Sequence, residues 1–274
     1  MRLLVTSEKD IASQTIKDVL LSDYGFDKTG EDFEGHPVFA LDDQLKLITT
    51  ERDLIYTNHL EEHFDVEVFI FCSRHQSKSG RPSLLVHSTG NLGPEAKYGG
   101  EPYRLSVSTA TLVRTAFKEL YSQRNSKGLD EFDVSLEVTH HGPTEMDVPM
   151  LFVELGSDEE YWRHEGGAKA VTAAVMKCAE EPIGNSAYIG FGGTHYASIF
   201  NKLELTEDIA MGHIAPKYAL SGLTPEVIDL MAERSTEHVK AAIIDWKGTN
   251  STQRDYLLPI LEERGIELLR ARDF

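Results

Sequence analysis

Val66-Glu-Val-Phe-Ile-Phe-Cys72 is an apolar run interrupted by a single charge, and it is the strongest indication of the fold in the sequence. A strand with a nearly continuous apolar sequence is covered on both faces, as in parallel sheets packed between helices. The N-terminal neighbour agrees with this. Leu3–Thr6 predicts a strand, and Glu8–Leu21 predicts an amphipathic helix with Ser7 as its N-cap.

Strands and helices alternate along the rest of the chain. Further strands are predicted at Leu84–His87, Val134–Val138, Met150–Leu155, Ala241–Asp245 and Ile266–Leu269, and helices at Thr109–Leu120, Lys169–Ala179, from Pro225, and at Gln253–Glu263. This order predicts an α/β fold with a largely parallel sheet. We interpret residues 1–274 as a single catalytic unit, with a core at about 1–180 and 225–274 and an irregular portion at about 182–224 that builds the site.

Composition restricts the class of protein. The 274 residues carry a formal net charge of −18 and only two cysteines, Cys72 and Cys178, in no metal-binding or disulfide pattern. No segment approaches the roughly 20 apolar residues of a membrane span, and the first residues contain no apolar leader. We therefore expect a cytoplasmic protein without a membrane partner.

Positive charge is concentrated in one stretch that lacks acidic residues. Between Val68 and Pro94 there is no Asp or Glu, whereas Arg74, His75, Lys78 and Arg81 all occur there. An acidic protein that binds nucleic acid needs such a local patch, because phosphate neutralisation supplies much of the affinity. The alternative is a strand–loop–strand unit that lacks acidic residues by chance.

Histidines occur repeatedly at or just after the predicted strands, together with one strand glutamate. In parallel α/β folds, ligands bind outside the carboxyl ends of the strands. Imidazole and carboxylate ligands suit zinc, although any one histidine alone is more commonly a hydrogen-bonded structural residue. Glycine and proline at 142 and 143 predict the turn that lets two adjacent histidines face one site. The candidate site residues are His87, His140, His141, Glu154, His195, Tyr196 and His213.

The glycine-rich stretch Gly190-Phe-Gly-Gly193 predicts a loop whose N–H groups hold an oxyanion or a phosphate. It has no Gly-Lys-Ser/Thr continuation, so we expect no nucleoside triphosphate. A serine-hydrolase elbow is absent. His59-Leu-Glu-Glu-His63 matches a zinc peptidase pattern but is interpreted as a solvated helix face.

Seven segments in order along the chain resemble the archaeal and plant D-aminoacyl-tRNA deacylases. They are Ser73-Arg-His-Gln-Ser-Lys-Ser-Gly-Arg-Pro82, Val86-His87 with Gly90-Asn91, Glu137-Val-Thr-His-His-Gly-Pro143, Phe152-Val-Glu-Leu-Gly-Ser157 with Trp162, Gly190-Phe-Gly-Gly-Thr-His-Tyr196, Gly212-His213 with Lys217-Tyr218, and Asp245-Trp-Lys247. The resemblance implies a three-layer α/β fold with a mixed, mostly parallel sheet, like that of purine nucleoside phosphorylases and peptidyl-tRNA hydrolases, with an additional α+β portion. It also implies zinc and hydrolysis of the ester between a D-amino acid and tRNA.

With that resemblance, each candidate residue receives an expected role. The expected catalytic residues are His87, His141, Glu154, His195 and Tyr196; the expected zinc ligands are His140, His141, His195 and His213; and the expected tRNA-binding residues are Arg74, His75, Lys78 and Arg81. We expect a monomer. Two alternatives stay open: a nucleoside phosphorylase or hydrolase on the same scaffold, and a non-catalytic module that binds RNA ends.

Overall fold

A computed structural model describes residues 1–274, and its strands form two sheets and one short ribbon. The strands are β1 (Arg2–Ser7), β2 (Asp27–Phe33), β3 (His36–Asp42), β4 (Leu45–Thr50), β5 (Val68–Gln76), β6 (Ser83–His87), β7 (Gly90–Asn91), β8 (Arg104–Leu105), β9 (Asp133–Leu136), β10 (Met150–Ser157), β11 (Ser186–Phe191), β12 (Met211–Ala215), β13 (His238–Ile244) and β14 (Glu267–Arg270). The α-helices are α1 (Ile11–Asp23), α2 (Ala110–Ser126), α3 (Glu159–Trp162), α4 (Glu165–Glu180), α5 (Ser198–Thr206), α6 (Pro225–Glu233) and α7 (Ser251–Glu263). Short 3-10 helices lie at Leu54–Tyr56, Asn58–Glu62, Leu220–Gly222 and Ala271–Asp273.

The large sheet has eight strands in the order β2-β3-β4-β1-β5-β10-β6-β9, with β4, β1, β5 and β10 parallel to one another. Its central strand β5 is covered on both faces, as the apolar run predicts. Val68, Ile70 and Cys72 pack in one core with α1, α2 and α4, whereas Phe69 and Phe71 pack in another with the two 3-10 helices between β4 and β5. Full burial of a side chain such as Ile or Phe contributes about 1.5–3 kcal/mol.

The second sheet has four parallel strands in the order β12-β11-β13-β14. One face packs against α6 and α7 through Ile189, Phe191 and Ile244. Helices α2 and α5 contribute to the core on the other face, where Ile214 and Ile243 are buried. The sheet therefore has helices on both faces.

The predicted α/β class with mostly parallel strands is confirmed, but three details differ. The strands are divided between two sheets. The span 182–224 is regular rather than irregular, because it contains β11, α5 and β12. The N-cap of α1 is Asp10, whose Oδ1 accepts from Ser13 N at 2.9 Å, and not Ser7. None of the helices combines the length and the apolar character needed to cross a bilayer.

Candidate active site

The segment that follows β9 connects the two sheets. Glu137 N donates to Val86 O of β6 at 3.1 Å, and Thr139 N donates to Ile214 O of β12 at 2.9 Å. Between these two residues, Val138 N donates to His195 O, in the loop after β11, at 3.1 Å. Side chains from the carboxyl ends of strands in both sheets therefore meet along this segment.

His140 and His141 both line one cavity, although adjacent residues of a strand point to opposite sides. The chain turns at His141, whose φ of 45° lies in the left-handed region. His140 Nδ1 lies 2.8 Å from Val138 O, and His141 Nδ1 lies 2.6 Å from Gly142 O. A carbonyl oxygen can only accept, so Nδ1 carries the proton in both rings, and Nε2 of the neutral ring can bind a metal.

His87 is oriented in the same way at the end of β6. Its Nδ1 lies 3.2 Å from Ser88 O, and its buried Nε2 has no hydrogen-bond partner. That Nε2 is 3.7 Å from Glu154 Oε1 and 4.0 Å from Glu137 Oε2. Hydrogen bonds of this kind to the distal ring nitrogen commonly orient histidines that ligate metals.

The Glu137 carboxylate is fully buried and has no hydrogen-bond donor at either oxygen. His195 Nε2 lies 2.8 Å from Oε1, an ion-pair distance without hydrogen-bond geometry, and His75 Nδ1 lies 3.5 Å from the same oxygen. A buried charged group without such partners costs about 1–3 kcal/mol or more. The arrangement is therefore suited to a cation among these side chains.

The pKa shifts divide the histidines into two groups. Burial lowers the pKa of His140 well below 6.5, and burial together with the charge of His87 lowers the pKa of His141 to about 4. Both rings are then neutral at pH 7, the form that binds metal. Burial also lowers the pKa of His75 and His87, but the nearby carboxylates of Glu154 and Glu137 outweigh it, so both pKa values are raised. Burial raises the pKa of Glu154, but the two histidines outweigh it and hold that pKa well below 4.5.

Three overlapping sets of side chains bring potential ligand atoms within 4.8 Å of one another. The sets are His87, His140 and His141; Glu137, His140 and His195; and His75, Glu137 and Glu154. Imidazole nitrogens and carboxylate oxygens at this spacing are the donor set of zinc sites with three protein ligands. The residues present therefore fit a zinc ion.

We call the seven residues of these three sets the cluster. A cavity of about 530 Å³ opens onto it. Its lining includes His75, Glu154 and His195 from the cluster, and Lys78 and Tyr98 from surrounding loops. Cavities of this size accommodate small-molecule groups. A substrate group in this cavity would therefore contact the histidines and carboxylates directly.

A family model described as D-aminoacyl-tRNA deacylase matches residues 62–269. The chain belongs to this family. A D-aminoacyl-tRNA deacylase of Thermococcus kodakarensis is 36% identical, and the alignment covers 98% of this chain and all of that protein. The one from Archaeoglobus fulgidus is also 36% identical, with 99% of this chain and 97% of that protein covered. The crystal structure of a conserved protein of unknown function, AF0625, has a TM-score of 0.90 at 34% identity, over 100% of this chain and 96% of that one.

Of the residues expected from the family resemblance, His87, His140, His141, Glu154 and His195 all lie in the cluster. Tyr196 is beside it, with its hydroxyl 3.2 Å from His75 Nε2. His213 does not lie in the cluster. Its Nδ1 is 3.1 Å from Thr139 Oγ1, and its Nε2 is close to two backbone carbonyls, so both ring nitrogens have protein partners. We therefore remove His213 from the set of candidate ligands.

The expected tRNA-binding residues do not form one exposed basic patch, although three of the four line the cavity. His75 is buried between Glu137 and Glu154 rather than exposed in a patch. Arg74 and Lys78 line the cavity, although Arg74 lies 3.7 Å from Asp53. Arg81 does not line it and pairs with Asp133 at 3.1 Å.

Two other sequence interpretations change. The N–H groups of Gly192 and Gly193 donate to Ala215 O and Gly248 O, so they are not available to an oxyanion or a phosphate. His59 lies in a 3-10 helix, where its Nε2 is 2.8 Å from Glu34 Oε1 and its ring stacks on Phe33. It is therefore not on a solvated helix face. His59 and His63 take part in no candidate metal cluster.

Sequence reasoning did not select Glu137 or Asp10. Glu137 directly follows β9, the same position relative to a strand that selected the histidines, so the signal was present. Asp10 lines the cavity, and burial raises its pKa to about 6 against hydrogen bonds from Ser13 and Arg74. No local pattern marks Asp10 as a site residue, because its burial depends on the packing of β5 beside α1.

Proposed function

We propose that this chain is a hydrolase that cleaves the ester bond between a D-amino acid and tRNA, with zinc at the cluster. Family membership supports the reaction. The observation that supports the metal is the buried Glu137 carboxylate, which has no hydrogen-bond donor and faces histidine nitrogens. Hydrolysis of an aminoacyl ester needs a positioned water and stabilisation of the charge that develops on the carbonyl oxygen.

Zinc would be held by His87, His140 and His141, and the set of Glu137, His140 and His195 offers a second position that shares one ligand. Bound there, it would supply Lewis-acid polarisation of the ester carbonyl. Glu154 orients the surrounding rings, with its oxygens 3.7 Å from His87 Nε2 and 3.4 Å from His75 Nδ1.

The chain's own residues form a hydrogen-bonded relay beside the cluster. The carboxylates of Glu137 and Glu154 face His75 Nδ1 and hold a proton there, so His75 Nε2 accepts from the Tyr196 hydroxyl at 3.2 Å. The Tyr196 oxygen then has lone pairs with which to accept from a water. We propose that this relay orients the water that attacks the ester.

The cavity wall supplies groups for the end of the tRNA. Tyr98 is 70% exposed and lines the cavity, so its ring is available for stacking by the terminal adenine. Lys78 lines the cavity without an ion pair, which suits a contact to a terminal phosphate. A wall this close to the cluster would also read the configuration of the amino acid.

The proposed reaction is tested by incubating the purified protein with matched D- and L-aminoacyl-tRNA and measuring the amino acid released. We expect release from the D substrate at least about tenfold faster than from the L substrate, since a tenfold ratio needs only about 1.4 kcal/mol of discrimination. Phosphate-dependent release of a base would favour the phosphorylase alternative. Binding of tRNA without turnover would favour the RNA-end module.

Replacing Tyr196 with Phe removes the hydroxyl but keeps the ring. We expect kcat to fall by about tenfold to a hundredfold with KM within about twofold, because only water orientation is lost. Steady-state kinetics on D-aminoacyl-tRNA measure both parameters. Tyr121→Phe is the matched control, since Tyr121 and Tyr196 are both 40% exposed, whereas Tyr121 lies on α2 and the hydroxyl bonded to His75 belongs to Tyr196. Equal kcat in the two variants would rule out the relay.

Lys78→Glu places a negative charge in the cavity wall. We expect KM for D-aminoacyl-tRNA to rise about tenfold. The slope of log Kd against log salt concentration should decrease in magnitude by about 1, which corresponds to one phosphate contact. Arg81→Glu is the control in the same loop, because Arg81 is paired with Asp133 away from the cavity. If both variants shift KM equally, the effect is general charge repulsion and Lys78 makes no specific contact.

A further inference from the structure

The four strands of the second sheet end in register at its carboxyl edge, and each is followed by a loop or a short turn. Phe191 of β11 pairs with Ala215 of β12 and with Ile244 of β13, and Ile244 pairs with Arg270 of β14. Adjacent strands are about 4.8 Å apart, so the edge is about 14 Å wide from β12 to β14. The loops after these strands therefore form one continuous surface.

This surface is basic on a protein whose net charge is −18. Lys217 follows β12, Lys247 follows β13, Arg270 ends β14, and Arg254 lies on α7 next to them; we call these four residues the basic edge. None of the four forms an ion pair, whereas Arg81, Arg104 and Arg114 elsewhere on the surface are each paired with a carboxylate. Lys217 and Lys247 are exposed.

Two acidic residues lie in these segments, Asp245 after β13 and Asp273 after β14. Asp273 Oδ1 lies 3.6 Å from Nε of the neighbouring Arg272. Asp245 forms hydrogen bonds within its own turn. Asp245 Oδ1 accepts from Lys247 N at 3.1 Å and from Gly248 N at 2.9 Å. Its charge is therefore directed at backbone N–H groups, which leaves the Lys247 ammonium unpaired. Arg254 and Arg270 stack on Trp246, at 4.6 Å and 4.1 Å from its ring centre. Cation–π contacts of this kind hold guanidinium groups in place without neutralising them.

Backbone hydrogen bonds between the loops make the surface preorganised. Lys217 N donates to Gly193 O at 3.0 Å, and Gly193 N donates to Gly248 O at 3.2 Å. Lys217 O accepts from the Gln253 side chain at 2.8 Å. The loops after β11, β12 and β13 are thus tied to one another and to α7. A preorganised surface loses little conformational entropy on binding.

The basic edge is continuous with the candidate active site. His195, in the loop after β11, lies between Lys217 and Lys247 in the order of the strands. Its Nδ1 is 3.1 Å from the hydroxyl of Tyr218, the residue next to Lys217. An anionic chain bound along the edge would therefore pass directly beside the cluster.

We propose that the basic edge binds the phosphate backbone of the tRNA acceptor arm while the acylated 3′ end enters the cavity. This inference rests on the proposed function. A protein of this net charge repels RNA unless unpaired cations are gathered in one place. The basic edge meets this condition, whereas Arg74 on β5 and Arg81 in the following loop both lie beside carboxylates.

The test compares two double variants with the same change in charge. Lys217→Glu/Lys247→Glu alters the basic edge, and the control Lys28→Glu/Lys127→Glu alters two exposed lysines on β2 and just after α2. Binding of uncharged tRNA is measured across a salt series, and turnover is measured on D-aminoacyl-tRNA and on D-aminoacyl-adenosine. Relative to the control, we expect Kd for tRNA and KM to rise at least about tenfold, with a salt slope smaller by about 2. Turnover of the adenosine ester should stay within about twofold.

The outcomes separate this inference from the proposed function. Equal Kd and equal salt slopes in the two double variants would overturn the basic edge, even if wild-type protein deacylates D-aminoacyl-tRNA. Loss of turnover on the adenosine ester with unchanged Kd would also overturn it, because the lysines would then act on the cluster. Wild-type protein that binds tRNA through the basic edge but releases no amino acid would overturn the proposed function alone.

Discussion

His195→Ala is expected to lower kcat for D-aminoacyl-tRNA by about 10²–10⁴, the range for loss of a general base. The His195 ring connects two parts of the site, with Nε2 2.8 Å from Glu137 Oε1 and Nδ1 3.1 Å from the Tyr218 hydroxyl. Its side chain is 34% exposed and lines the cavity, so truncation does not open a void in the apolar core. We therefore expect a melting temperature within a few degrees of wild type.

Zinc content measured on the same preparation assigns the role of His195. A ligand predicts that bound zinc decreases together with kcat, whereas a general base predicts wild-type zinc with low kcat. His238→Ala is the matched control, because His238 is exposed at the amino end of β13, away from the cluster. Wild-type kcat with wild-type zinc in His195→Ala would remove His195 from the site.

The convergence of His87, His140, His141 and His195 could be predicted from strand ends alone. Apolar runs locate the strands, and the carboxyl ends of parallel strands meet at one edge of a sheet. The structure brings these four residues together at the junction of the two sheets. The junction itself could not be predicted, because it depends on Thr139 bonding to Ile214, a contact between residues far apart in sequence.

His75 lies in a strand that the local amino-acid composition does not predict. The polar sequence from Ser73 to Pro82 predicts a loop, but β5 continues to Gln76. Backbone pairing with β10, including Glu154 beside Ser73 and Gly156 beside His75, extends the strand. Such pairing routinely overrides local strand propensity. His75 therefore enters the cluster, where the sequence alone had put it on the surface.

The second sheet was predicted only in part because its strands contain residues that weaken the β pattern. Gly190 lies inside β11, where glycine normally signals a turn or a bulge. A Cβ at this position would lie 2.9 Å from Met211 Cε and 3.0 Å from Phe200 Cζ. Packing of β12 and α5 against the strand therefore leaves little room for a larger residue there, and only the tertiary structure shows this.

Glu204→Gln is expected to stabilise the protein at neutral and alkaline pH. Glu204 lies on α5, is fully buried, and burial raises its pKa from 4.5 to about 8. Its Oε1 accepts from Met211 N at 2.8 Å, and its Oε2 has no hydrogen-bond partner. Glutamine reproduces the protonated carboxyl, since its carbonyl oxygen still accepts from Met211 while no charge is buried.

The sign of the pH dependence follows from proton binding. Between pH 4.5 and 8 the folded state holds a proton at Glu204 that the unfolded state has lost, so wild-type stability falls as pH rises through this window. A pKa gap of this size corresponds to a loss of about 5 kcal/mol, which the glutamine variant avoids. We therefore expect the free energies of unfolding of the two proteins to be similar near pH 4.5 and to diverge, in favour of Glu204→Gln, up to about pH 8.

Urea denaturation at pH 5, 6, 7 and 8 measures this difference. Glu207→Gln is the control, because Glu207 lies just after the same helix and is only partly buried. A difference between variant and wild type that does not change with pH would mean that Glu204 is not the titrating group.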